Sequence, residues 1–186
     1  MNREFWLTLP VHATLSSTID TVHISDGKWL ERVEKTLVQY YKRAPFFGSY
    51  FEGLVGSLHV STNLLDEVNY SSCLHLLTVL GFQGKVVRFD KLDVKEDDPN
   101  LRLIRICQAL GSKHYIAGKG GRNYIDQAQW DAEGVQISWQ AVDANKTTYA
   151  QLGSSFLPSL SIVDALFNVG AERTREIILD SWSVKS

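Results

Sequence analysis

The sequence predicts an α/β fold: a mostly parallel sheet with flanking helices and an inserted helical block at about residues 27–80. Two observations carry this. From residue 85 onward, apolar strand-like runs alternate with helical periodicities at short spacing, the pattern of βαβ crossovers. Before that, three successive segments carry apolar residues at intervals of three and four, the helical period, with no strand between them.

Phe5 to Val11 is a short apolar run ended by Pro10, and its length favours a strand. Thr21-Val22-His23-Ile24 alternates and is expected to pair with it. Ser25-Asp26-Gly27 offers a helix N-cap. From Lys28, the positions Trp29, Leu30, Val33, Leu37, Tyr40 and Tyr41 form one apolar face. Ala44-Pro45 ends that helix, because proline disfavours helical geometry in the residue before it. Phe46 to Leu58 reads as a second helix. Leu64 to Leu80 reads as a third, stopped by Gly81. Lys85–Phe89 then reads as a strand, Asn100–Leu110 as a helix stopped by Gly111, and His114–Ala117 as a strand. Asp126–Glu133 reads as a helix and Val135–Val142 as a strand. Residues 159–180 are mostly helical, with a break at Gly170. No repeat or low-complexity linker divides the chain, so one domain over residues 1–186 is expected.

Of the 186 residues 44% are hydrophobic and 22% charged, and the net charge is −2. That balance suits a packed core and supplies no basic face for a nucleic-acid backbone, so nucleic acid is not an expected partner. The run from Lys91 to Asp98 is charged and leans acidic, as a solvated loop would. The start of the chain lacks a basic-then-apolar leader, and no apolar stretch is long enough to span a membrane. A soluble, cytoplasmic protein is therefore expected. Cys73 and Cys107 lie in helical patterns and read as buried free thiols. No Cys-x-x-Cys or histidine cluster has metal-ligand spacing, so no metal site is expected, and no motif names a cofactor.

Two segments could carry chemistry. In Gly118-Lys119-Gly120-Gly121-Arg122-Asn123-Tyr124 a strand runs into three glycines and two cations. Glycine lets backbone N–H groups approach an anion, and Lys119 and Arg122 add charge. The spacing fits neither the dinucleotide fingerprint nor the P-loop, and a tight turn would use glycine equally well. In the second segment Asp164 and Asn168 lie four apart on one helical face, preceded by Tyr149, Gln151 and Ser161. Ser161 before Asp164 also fits a helix cap, with Leu160, Val163 and Phe167 toward the core. The helical block offers Trp29, Tyr40, Tyr41, Arg43, Asp66 and Asn69, of which Asp66 and Asn69 share a face. His75 reads as a packed histidine, and Trp29, Tyr40 and Tyr41 as core. His114, beside the glycine loop, is the histidine that suits acid–base work.

Taken together, several runs resemble the WbqC-like family of bacterial proteins. They are residues 6–11, 40–47, 65–69, 102–111, 115–126, 149–151 and 156–170, in the family's order and across nearly the whole chain. The resemblance implies a role in bacterial surface polysaccharide such as O-antigen. It further implies a transferase attaching a small, glycine-like aminoacyl group or an acyl group to a nucleotide-activated sugar. On that reading Gly118, Lys119, Gly120, Gly121 and Arg122 hold the diphosphate, while Tyr124, Tyr149, Gln151 and Ser161 bind substrate. Asp164, oriented by Asn168, or else His114, handles a proton. A non-catalytic nucleotide-sugar binding or enzyme-assembly module of the same pathway is the alternative. The family normally opens with a segment bearing Gln-Pro-x-Tyr-x-Pro-Trp, which is expected to be missing ahead of Met1. Its loss would expose a sheet edge and invite pairing with another chain, a homo-oligomer included.

Overall fold

The computed structural model describes residues 4–185 and is mixed α/β, with six α-helices and two small sheets. The chain divides into two compact units, Met1–Gln83 with Thr147–Ile178, and Gly84–Lys146 with Leu179–Ser186.

The first unit is the helical one. Strand β1 (Val11–His12) pairs antiparallel with β2 (His23–Ile24), Val11 opposite Ile24. Only this tip of the expected Phe5–Val11 strand joins a ladder. Helix α1 (Trp29–Tyr41) follows, entered where Asp26 accepts from the Lys28 amide at 2.8 Å. It buries Trp29, Val33 and Leu37, one residue per turn on a single face. Helix α2 (Phe47–Leu58) and helix α3 (Leu65–Val79) pack against each other. Ile24, Leu54, Val68 and Phe167 complete the core with the α1 stripe. Helix α6 (Ile162–Ser181) brings Phe167 into it, fully buried, and its final residues belong to the second unit.

Inside α6, Gly170 stands at φ 78°, ψ 172°, a conformation open in practice only to glycine. A methyl group there would meet the Phe46 ring at 3.0 Å. Local bonds fix the break. Phe46 N–H donates to Phe167 O at 2.9 Å, the Tyr50 hydroxyl accepts from Ala171 N–H at 3.1 Å, and Thr174 Oγ1 donates to Gly170 O at 2.7 Å.

The second unit holds a three-stranded sheet. Helix α4 (Pro99–Ala109) starts on the cap Asp98, which accepts from Leu101 N–H at 2.8 Å, with Pro99 in the first turn. Strand β3 (His114–Ala117) pairs parallel with β4 (Gln136–Val142), with helix α5 (Gln127–Ala132) between them in the chain. Strand β5 (Trp182–Lys185) pairs antiparallel with β4. Ile104, Cys107, Trp130 and Val135 form this unit's core. The buried Asn100 organises it: its side-chain oxygen accepts from Trp130 Nε1 at 2.9 Å and Asp126 N–H at 3.0 Å, and its amide donates to Tyr124 O at 3.1 Å.

Three expectations are corrected. Parallel pairing is confined to β3–β4, because β5 and the β1–β2 pair are antiparallel. Residues 85–88 form no strand and lead into a 3₁₀ turn, Phe89–Lys91; Val86 and Phe89 are exposed, so no neighbouring strand covers them. Cys73 is exposed, being about 140° round α3 from the buried Val68 at 3.6 residues per turn, whereas Cys107 is buried. Burial pushes the Cys107 thiol above its ordinary pKa, which leaves it inert.

Candidate active site

The polar residues of the first unit converge on Asp164. It lies in the first turn of α6, 4% exposed, on the face next to the core residue Phe167. Ser161 caps this turn, its hydroxyl accepting from Val163 N–H at 3.3 Å and its carbonyl from Asp164 N–H at 2.9 Å. Tyr149 OH donates to Asp164 Oδ2 at 2.8 Å and Gln151 Nε2 to the same oxygen at 3.0 Å. Gln151 also brackets its own loop, donating to Leu157 O at 3.0 Å and accepting from Leu157 N–H at 2.8 Å. Asn168 donates to the Asp164 backbone carbonyl at 2.8 Å and accepts from Leu152 N–H at 3.0 Å. Asn168 therefore ties the loop to the helix and does not touch the carboxylate through these bonds.

Tyr41, at the end of α1, completes the cluster. Burial is the first cause that raises its phenol pKa; the Asp164 charge and a hydrogen bond to it add to the rise. The Tyr149 phenol is raised as well, first by burial and then by its bond to Asp164 and that residue's charge, against a lowering by Gln151. Both hydroxyls thus remain protonated donors beside one carboxylate at neutral pH. A carboxylate so held can take a proton from a bound amine or hydroxyl, and the phenols can orient that group.

Asp164 is not sealed. It lines a cavity of about 560 Å³ together with Gln39, Tyr40, Tyr41, Arg43 and Ser155. Phe5 stacks on Tyr40 at 4.1 Å between ring centroids and forms part of the wall. Arg43 is exposed and takes part in none of the described ion pairs. The sequence offered Tyr41 and Arg43 within the helical block, but Tyr41 read as core and Arg43 had no assigned role. Tyr41 follows Leu37 at i+4 on the apolar face that Trp29 and Val33 share, so its spacing carried no signal that set it apart from the core.

The glycine loop belongs to the second unit. Gly118 precedes a 3₁₀ turn, Lys119–Asn123, and Lys119, Gly120 and Tyr124 are exposed. Gly121 is buried, and a methyl group on it would lie 3.1 Å from Ile125, 3.2 Å from Trp139 and 3.3 Å from Ala117. The Arg122 guanidinium lies 4.2 Å from the centre of the Trp139 ring, a cation–π contact. Gly121 thus sits where packing leaves little room for a side chain, and Arg122 has a partner within its own unit. His114 is exposed on β3, its backbone bonded to the Ser112 hydroxyl. Among the described residues, no three His, Cys, Asp or Glu side chains gather into a metal-holding group, and no helix is long and apolar enough to cross a membrane.

The model of the WbqC-like protein family matches residues 1–176 of the chain. An uncharacterized protein of Mycobacterium tuberculosis (strain ATCC 25618 / H37Rv) is 26% identical over 177 residues, covering 90% of this chain and 73% of that protein. No solved structure matches.

Proposed function

The chain belongs to the WbqC-like protein family, and from that premise we propose that it is a transferase of bacterial surface-polysaccharide biosynthesis, joining an acyl or small aminoacyl group to a nucleotide-activated sugar. One observation supports this best. The buried Asp164 carboxylate, flanked by the Tyr41 and Tyr149 phenols, lines a cavity that also holds Arg43. In the proposed reaction a sugar amine or hydroxyl attacks the acyl carbonyl carbon. The bond from that carbon to its activating group breaks, and the proton of the attacking atom passes through Asp164 to the departing group. Arg43 suits the sugar diphosphate, as a cation facing an anion. In the second unit, taken by itself, the exposed Lys119 is proposed as an anion contact and His114 as the alternative proton acceptor.

The test is product detection by mass spectrometry, with UDP-, dTDP-, GDP- and CMP-amino sugars offered beside acetyl and glycyl thioesters. Asp164→Asn should lower turnover by about 10²–10⁴-fold. A full rate in Asp164→Asn together with loss in His114→Ala would move the proton role to the histidine.

A second reading, a non-catalytic nucleotide-sugar binding or assembly module, is favoured by one feature. Tyr149, Gln151 and Asn168 all find partners within residues 147–168, so their network is complete without a ligand. Binding of one nucleotide sugar without product from any acyl donor would support it.

A further inference from the structure

The first unit contains a second cavity, of about 470 Å³, and its walls are of a different chemistry. Val33 and Leu37 of α1, Leu54 and Leu58 of α2, Leu76 of α3 and Val163 of α6 line it. Its volume falls within the range of small-molecule sites. Interiors are close-packed, and apolar walls held apart forgo the contacts that would otherwise join them. The rim points the same way: Trp6 lines this cavity yet is 90% exposed, and Leu7 is 40% exposed. Phe5, Tyr41 and Leu160 line both this cavity and the one that holds Asp164 and Arg43. Charge gives the pair a direction. The charged residue at the apolar cavity is the Glu4 carboxylate, whereas the neighbouring cavity holds the Arg43 cation as well as the Asp164 carboxylate. A ligand with one apolar and one anionic or carbonyl end would place the apolar end among the leucines and the polar end toward Arg43.

We infer that this cavity binds a medium-chain acyl group, of about the length of octanoyl, with its carbonyl end directed past Tyr41 toward Asp164. The acyl group transferred is then hydrocarbon-like and not glycine-sized. The inference rests on the transferase reading for the fate of the chain, but not for its binding.

The test is isothermal titration of the whole chain with octanoyl- and acetyl-N-acetylcysteamine and with octanoate. Each methylene buried should tighten binding by about fourfold, so octanoyl should bind far more tightly than acetyl. Ser72→Phe, which adds a ring to the wall, should abolish octanoyl binding. Leu58→Trp serves as the second filling variant should the first fail to fold. Preference for the neutral thioester would assign a carrier-bound donor. Preference for octanoate, lost in Arg43→Ala, would assign a free fatty acid. Equal affinity for acetyl and octanoyl, or binding of neither, overturns the inference. Turnover of acetyl or glycyl donors without octanoyl binding would refute the chain site and leave the transferase standing. Octanoyl binding without turnover of any donor would do the reverse.

Discussion

The loop that precedes α6 and the glycine loop that follows β3 look equally promising as strings of residues, yet they put their residues to different uses. In the first, Tyr149 and Gln151 both donate to one oxygen of a buried carboxylate that lines a cavity. In the second, the most pointed features are absorbed by the unit itself: Gly121 by close packing against Ile125 and Trp139, Arg122 by the face of Trp139. Glycine and a cation side by side therefore do not distinguish an anion cradle from a tight turn. Several donors converging on a buried acid mark a site more strongly, because leaving that acid without partners would be costly.

Substitutions separate the two loops. Gly170→Ala forces alanine into a glycine-only conformation and against the Phe46 ring, in the helix that carries Asp164. We expect a loss of about 2–5 kcal/mol by denaturant titration; a change under about 1 kcal/mol would mean the kink relaxes freely. Gly121→Ala should cost about 1–3 kcal/mol through overpacking. Unchanged stability with lost nucleotide-sugar binding would restore the cradle reading of the glycine loop.

Tyr149→Phe removes a donor to the buried Asp164 and should cost about 1–3 kcal/mol. It also carries a pH signature. The Tyr41 and Tyr149 phenols are raised above the ordinary value of 10.0 in the folded state. Above pH 10 the unfolded chain loses these protons first, so the native state binds more of them and stability falls as pH rises. Their contribution is fully present below pH 10. Urea midpoints measured from pH 8 upward should decline beyond pH 10, and less steeply in Tyr149→Phe. Identical slopes would detach Tyr149 from the buried cluster. Arg122→Ala should cost the least, about 0.5–1 kcal/mol for an exposed cation–π contact, read from the melting temperature.

Much of the helical architecture was legible because it depends on local rules. The stripe Trp29–Val33–Leu37, the breaker Ala44-Pro45 and the cap of α6 are written within a few residues of where they act. Strands were less legible, since a strand is made by its partner. His114–Ala117 has β4 beside it, while Val86 and Val87, equally strand-like in kind, have none. Strand β5 is a few residues after a long helix, and nothing in Trp182–Lys185 separates a strand from a frayed end. At the site, Asp164 and Asn168 were visible as an i, i+4 pair, but the Asn168 bond goes to the Asp164 carbonyl and not to its carboxylate. Tyr41 was hidden because it reads as one more apolar helix position, and only folding brings it to an acid far along the chain.

The most direct test of the central claim, that the site of this protein is the Asp164 cavity, is hydrogen–deuterium exchange with UDP-, dTDP-, GDP- and CMP-sugars. The sugar nucleotide that binds should slow exchange in residues 39–43 and 147–161. Protection confined to residues 114–124, or no protection with any of the four, would contradict it.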